Sequence, residues 1–257
     1  MWDKKKRPKS PLREQPLRHA GQSLQDEINR VLDEKVFFDL TFVTAIIVVT
    51  GFQWYLYFYP QTKPPIAVTI LTAVICTFLI FRMLRSLRAV KQLKLGRHGE
   101  RIVAEVLEEL RVRGFGVLHD VPGDKFNLDH VVFSPHGIYV VETKTINKPA
   151  PDAQVNYDGT RVLVAGRQPT RDPIIQVKSA ARWLQEMLKA STGKAFPVRG
   201  VVVYPGWYVE SRAGNKAEVW VLNPKALADF IIHQPQLLQP DDVQMALFHV
   251  SRISRTG

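Results

Sequence analysis

Three residues near the middle of the chain have the types and spacing for phosphoryl chemistry: Asp129, Glu142 and Lys144. They bracket the segment LDHVVFSPHGIYVVETKT at residues 128–145. The four residues Ser134, Pro135, His136 and Gly137 predict a tight turn, and the apolar residues on either side predict two paired strands. If Ser134 pairs with Gly137, the register sets Asp129 directly opposite Glu142. Opposed residues share one sheet face, and Lys144, two residues beyond Glu142, points the same way. Two carboxylates and an ammonium then converge at the open end of an apolar hairpin. Facing carboxylates repel unless something lies between them, and a divalent metal would do so. Carboxylate oxygens suit Mg²⁺. The plainer alternative is a structural ion pair of Lys144 with Glu142 or Asp129 at a sheet end, and spacing alone leaves both open.

An acidic residue followed two positions later by Lys is a weak signal. It occurs three times, and the instances at Asp3 and Asp33 lie in polar N-terminal sequence. Only the instance at Glu142 ends an apolar strand with a carboxylate opposite. Two further polar groups fall near the same place. Val103, Leu107 and Leu110 predict one apolar face of a helix over residues 99–112, and Glu100 shares that face. A carboxylate there either frays into solvent or is aimed at a site. Asp172 and Pro173 predict a helix start with Asp as N-cap, running to about Leu188, and this puts Gln176 in the first turn. His98, His130 and His136 lie nearby but read as structural or exposed: His130 points away from Asp129, and His136 belongs to the distant turn.

The elements that must position these residues come after a membrane segment. In this 257-residue chain, residues 40–59 and 64–81 carry no charge, and each approaches the length needed to cross a bilayer. A transmembrane hairpin over residues 36–83 follows, and a soluble buried helix pair is the alternative. Lys4, Lys5, Lys6, Arg7, Lys9, Arg13 and Arg18 precede the first span. Arg82, Arg85, Arg88, Lys91, Lys94 and Arg97 follow the second, and the connecting loop has only Lys63. The positive-inside rule then places the basic N-terminal segment (1–35), the basic juxtamembrane helix (84–98) and the domain at 99–257 in the cytoplasm. The localisation expected is a cell membrane protein with two spans. Trp54, Tyr55, Tyr57 and Tyr59 fit an interfacial aromatic belt. A cleaved signal peptide fits poorly, since no small-residue cleavage site follows the first span.

The net charge of +11 sits largely beside the spans, where the bilayer and anionic lipid headgroups account for it. It is weak evidence for nucleic-acid binding. Cys76 is the only cysteine and lies inside the second span, which excludes a disulfide framework and a cysteine zinc site.

The domain at 99–257 reads as helix, strand near residues 115–119, loop at 120–127, hairpin, second hairpin around Asp158 and Gly159, helix from Pro173, strand at 200–204 and strand at 219–222. Helices are predicted at 224–232 and 241–250. The central hairpin is apolar on both faces, so helices must cover both. The fold class expected is α/β, a mixed sheet flanked by helices.

At GRHGE (96–100), DHVVFSPHGIYVVETK (129–144) and DPIIQ (172–176) the sequence resembles the nuclease-related domain (NERD) family of the PD-(D/E)XK nuclease-like superfamily. The resemblance covers roughly residues 96–213, and its central segment is the most specific. Leu128 stands where the superfamily motif has Pro. The resemblance implies a restriction-endonuclease-like αβββαβ core. It implies an active site of Glu100, Asp129, Glu142, Lys144 and Gln176, with Mg²⁺ or Mn²⁺ held by Asp129, Glu142 and Glu100. The function it implies is membrane-anchored, metal-dependent phosphodiester hydrolysis with DNA as partner, and cutting both strands of a duplex would call for a homodimer. The alternatives of another class are a non-catalytic module that tethers or senses nucleic acid at the membrane, or a membrane scaffold without nucleic-acid affinity.

Overall fold

The computed structural model describes residues 17–59, 63–214 and 217–256. The basic run from Lys4 to Arg13 and the middle of the loop between the two apolar stretches lie outside the described residues. The chain divides into two compact units. One is Gln22–His98, and the other is Met1–Gly21 together with Gly99–Gly257.

The Gln22–His98 unit is helical. Helix α1 (Gln22–Val31) passes through a π-helical segment (Leu32–Phe37) into α2 (Phe38–Phe58), and α3 begins at Ile66. Both α2 and the start of α3 are long and apolar enough to cross a membrane, and little of either apolar stretch is buried. Some of the polar side chains within them pair with one another, and Thr41, Thr44 and Thr77 donate to carbonyls of their own helix. Thr50 and Thr72 share a hydrogen bond of 2.7 Å, and the Trp54 indole donates to Thr69 Oγ1 at 2.9 Å. Asp39 is buried and forms an ion pair with Arg82. Ile28, Val31 and Val90 form a small apolar cluster at the other end of the unit.

In the second unit, α3 (Ile66–Val112) contributes its last turns from Gly99 onward. Strands β1 (Gly116–Pro122), β2 (Asn127–Ser134) and β3 (Gly137–Thr143) follow, then β4 (Gln154–Tyr157) and β5 (Val162–Val164). Helix α4 (Pro173–Thr192) leads into β6 (Val198–Val203), β7 (Tyr208–Ser211) and β8 (Val219–Leu222). A 3₁₀ turn (Pro224–Ala226), α5 (Leu227–Ile232) and α6 (Pro240–Thr256) close the chain.

The main sheet has the order β1-β2-β3-β6-β8, antiparallel among its first three strands and parallel from β3 through β6 to β8. A mixed α/β architecture was expected and is found. The two faces of the hairpin are both buried. Val131, Phe133, Ile138 and Val140 pack into the core that includes α4, while Val132, Tyr139 and Val141 pack against Val103, Leu107 and Leu110 of α3. Burial of these branched side chains from water is the main driving force for the layering.

Two local expectations are corrected. The loop predicted at 120–127 is shorter: β1 continues through Asp120 and Val121 to Pro122. The second hairpin forms as predicted, but in a separate three-stranded sheet whose third member, β7, was not foreseen.

Candidate active site

The β2–β3 ladder runs from Ser134↔Gly137 to His130↔Val141, the register read from the turn. Asp129 and Glu142 stand one step beyond its last pair. The ladder does not simply fray there, because the Asp129 carboxylate replaces it: the Thr143 N–H donates to Asp129 Oδ2 at 2.7 Å. On the other side β3 stays paired to β6, and the Lys144 N–H donates to the Val203 carbonyl at 2.9 Å. The strand therefore remains extended up to Lys144. Its ammonium donates to Glu142 Oε1 at 2.7 Å and to Gln176 Oε1 at 2.8 Å. The Gln176 amide closes the ring by donating to Glu142 Oε1 at 2.7 Å.

Gln176 is delivered by the first turn of α4. Asp172 caps that turn, its Oδ1 accepting from the Ile174 N–H at 2.8 Å. Pro173 occupies the first turn, where its missing N–H costs nothing. Gly200 lets α4 come close to β6, since a Cβ there would stand 2.9 Å from the Val177 side chain.

Glu100 reaches the same place from α3. Its neighbour Gly99 fits tightly against the chain leaving β3: a Cβ at Gly99 would lie 1.6 Å from Thr145 Oγ1. Glu100 is buried and accepts a hydrogen bond from the backbone N–H of Gly21. Its carboxyl is raised from 4.5 to about 7, by burial first and then by the charges of Asp120 and Glu142, while the Gly21 N–H opposes them. Asp129 is likewise held well above the usual carboxylate range. Burial is the largest cause, then the charges of Glu142 and Glu100, with the Thr143 N–H and Lys144 opposing.

Asp120 is the residue that the sequence reading missed. The register that pairs His119 with His130 and Val121 with Leu128 sets it across from Asp129. It adopts a left-handed backbone, φ 49°, which Asp tolerates better than most residues. Its side chain is buried, with Arg18 Nη1 3.4 Å from Oδ2 and the Asn127 amide donating to Oδ1 at 3.0 Å. The segment around it, DVPGD, is made of turn formers and so reads as a loop. Alternation could not have placed it, because Val117 packs in the core with α3 and Val121 in the core with α4, so the pattern breaks at Asp120.

The histidines take no part in this cluster. His130 is fully buried on the opposite face of β2, its Nδ1 2.8 Å from Nδ1 of His119 and its Nε2 3.3 Å from Thr143 Oγ1. Burial and the neighbouring imidazole hold His130 well below its ordinary range. His136 sits in the turn, against the Gln234 carbonyl, and His98 is exposed.

Glu100, Asp129, Glu142, Lys144 and Gln176 thus meet at one end of the sheet. The donor set is hard oxygen. Hydrogen bonds engage Glu142 Oε1 and Asp129 Oδ2, leaving the second oxygen of each carboxylate outside that network. Burial first, and then the neighbouring carboxylates, hold Glu100 and Asp129 toward their neutral forms. Among the described residues no group of three or more His, Cys, Asp or Glu side chains is arranged to hold an ion by itself.

Residues 95–205 match the family model of the nuclease-related domain, NERD. All five of these site residues fall within that span. An uncharacterized protein of Bacillus anthracis is 30% identical over 99 residues, which is 37% of this chain and 35% of that protein. The chain thus spans about a third of the length of the curated relative it matches. No solved structure matches the chain.

Proposed function

We propose, for a chain whose residues 95–205 match a nuclease-related domain, that it is a membrane-anchored, Mg²⁺- or Mn²⁺-dependent phosphodiesterase acting on DNA. The observation that carries this reading is the hydrogen-bonded ring of Glu142, Lys144 and Gln176 at the end of the central sheet, with Asp129, held by the Thr143 N–H, and Glu100 beside it. Asp129 and Glu142 would hold the metal, with Glu100 completing the site. The ion, when bound, supplies acidification of water and screening of the phosphate charge.

The chain's own groups do the rest. Lys144 cannot swing freely, because Glu142 and Gln176 hold its ammonium at 2.7 and 2.8 Å. A fixed ammonium beside a phosphodiester stabilises the charge that develops on the non-bridging oxygens. Gln176 orients Lys144 and Glu142 together.

The membrane part of the proposal rests on the two apolar helices. Their apolar side chains are exposed, whereas a soluble core helix would bury them. Their polar groups, Thr50 with Thr72, Trp54 with Thr69 and Asp39 with Arg82, satisfy one another, as a lipid environment demands. Both chain ends would face the cytoplasm. A cysteine at Lys63, in a Cys76→Ser background, should react with an impermeant maleimide only from outside the cell.

The decisive experiment is hydrolysis of single- and double-stranded DNA by the full chain in detergent, with Mg²⁺, with Mn²⁺ and with chelator. Metal-dependent cutting that is lost in Glu142→Ala supports the reading, and equal cutting by that variant refutes it. One observation favours the alternative of a non-catalytic nucleic-acid tether: Lys144 is already engaged by Glu142 and Gln176, as in a purely structural ion pair. DNA binding that is indifferent to metal and to Asp129→Ala would select that alternative.

A further inference from the structure

Segment 17–21 precedes the first apolar helix and lies outside the residues that match the nuclease-related domain. It nevertheless reaches two of the buried carboxylates. The Gly21 N–H donates to Glu100, and Arg18 Nη1 lies 3.4 Å from Asp120 Oδ2. These contacts belong to the same compact unit as the sheet.

The carboxylates need them. Asp120 faces Asp129 across the β1–β2 register, and Asp120 and Glu142 both act on Glu100, so four acidic side chains gather at one sheet end. Lys144 is committed to Glu142 and Gln176. Arg18 is the cation seated on Asp120, whose side chain is only 2% exposed, so the charge it meets is poorly screened. Asp120 also holds a left-handed backbone, a conformation that persists only where its surroundings fix it. Arg18 on one carboxylate oxygen and Asn127 on the other supply that fixing.

We propose that Arg18 is a positioning residue for the candidate active site: acting through Asp120, it fixes the rim of carboxylates against which Glu100 and Asp129 are set. The inference rests on the phosphodiesterase reading and deepens it. The site is then not confined to residues 95–205. It includes a strap from the segment upstream of the apolar helices, and Asp120 joins it as the residue on which the strap acts.

The test uses the full chain in detergent with Arg18→Ala, Arg18→Lys, Asp120→Asn and, as a control for lost surface charge, Arg182→Ala. Arg182 is exposed, and among the described residues its ion pair is with Glu186 one turn away. Two quantities are read: initial rates on DNA with Mn²⁺ across substrate concentration, and melting temperature without metal. Arg18→Ala should lower kcat about tenfold with KM unchanged, because misplaced groups weaken transition-state stabilisation and not substrate binding. Arg18→Lys should recover most of that loss, and Arg182→Ala should match the parent in both constants. In melting, Arg18→Ala and Asp120→Asn should be non-additive by about 2 °C, the mark of residues in contact.

A raised KM at unchanged kcat would make Arg18 a substrate contact and overturn the proposal, as would parental kinetics in Arg18→Ala or strictly additive melting shifts. If the parent itself cuts nothing, the phosphodiesterase reading falls and the catalytic role of Arg18 falls with it. If the parent cuts and Arg18→Ala cuts equally, only the present proposal falls.

Discussion

The two faces of the β2–β3 hairpin make opposite use of adjacent residues. Asp129 and Glu142 point to one face, and His130 and Thr143 to the other. Burial drives the titratable groups of both faces toward their neutral forms, carboxyls upward and imidazoles downward. Shifted ionisation therefore does not separate them. Closure does. On the histidine face, His119 and His130 meet through Nδ1 and His130 Nε2 meets Thr143, so the polar groups answer one another inside the fold. On the carboxylate face, like charges gather around one ammonium, and each of two carboxylates keeps an oxygen outside the internal network. A set that satisfies itself serves structure, and a set left incomplete is suited to receive a ligand.

The sharpest way to break this comparison is to damage each face and measure turnover per folded molecule. Glu142→Ala and Lys144→Ala should each lower DNA hydrolysis about 10³-fold, as expected when a metal ligand or a fixed charge stabiliser is removed. Each should still melt as a folded protein. His130→Phe should do the reverse. It removes the partner of His119 Nδ1 and should cost about 1–3 kcal/mol of stability while the rate stays within about threefold of the parent. A dead but fully stable His130→Phe protein would put chemistry on the histidine face and end the distinction.

The two faces should also leave opposite marks on the pH dependence of stability in metal-free protein. Glu100 is raised from 4.5 to about 7. Between these values the folded state holds more protons than the unfolded one, so the stability it contributes is present below about 4.5 and is lost as pH rises through about 7. The full span corresponds to about 3 kcal/mol, an upper value for a single buried group. Asp129 shifts the same way. His130 is lowered, so the unfolded state binds the proton more readily, and stability is lost as pH falls below 6.5. Glu100→Gln should flatten the first limb, and His130→Phe the second, in melting curves taken from pH 4.5 to 8. Mg²⁺ should flatten only the first.

A smaller effect is expected where α3 meets the end of β3. Gly99→Ala would put a methyl 1.6 Å from Thr145 Oγ1 and 2.8 Å from its Cβ. The helix must shift, at about 2 kcal/mol for overpacking. Glu100 moves with it, so the rate should fall as well. Adding Thr145→Gly should restore most of the melting temperature. If Gly99→Ala melts and cuts like the parent, the carboxylate face tolerates displacement and its geometry is not what matters.

The contrast between the faces was largely legible in the sequence, because it is local. A turn at Ser134–Gly137 and strict alternation set the β2–β3 register, and the register alone assigns Asp129 and Glu142 to one face and His130 to the other. Gln176 was equally legible through the Asp172–Pro173 cap. What escaped depends on distant partners. Asp120 was hidden among turn formers, and its place follows from pairing with β2. Strand β7 is short, largely exposed and paired in parallel with β4 some fifty residues earlier. The contact of Arg18 with Asp120 spans 102 residues of chain, and no pattern in either segment announces it.

The smallest effect tests whether the carboxylate face is incomplete beyond its charged groups. Tyr204 follows β6 directly and is wholly buried, yet its hydroxyl has no hydrogen-bond partner among the described residues. Burial and the charges of Asp172 and Glu142 push the phenol up, so the hydroxyl lies within electrostatic reach of the site. A buried, unanswered hydroxyl costs free energy, so its removal should not. Tyr204→Phe is expected to change stability by no more than about 0.5 kcal/mol, and in the stabilising direction, when measured by denaturant unfolding without metal. A loss above about 1 kcal/mol would show that the hydroxyl is satisfied in solution by bound water. In that case this part of the site closes on itself as the histidine face does, and incompleteness belongs to the carboxylates alone.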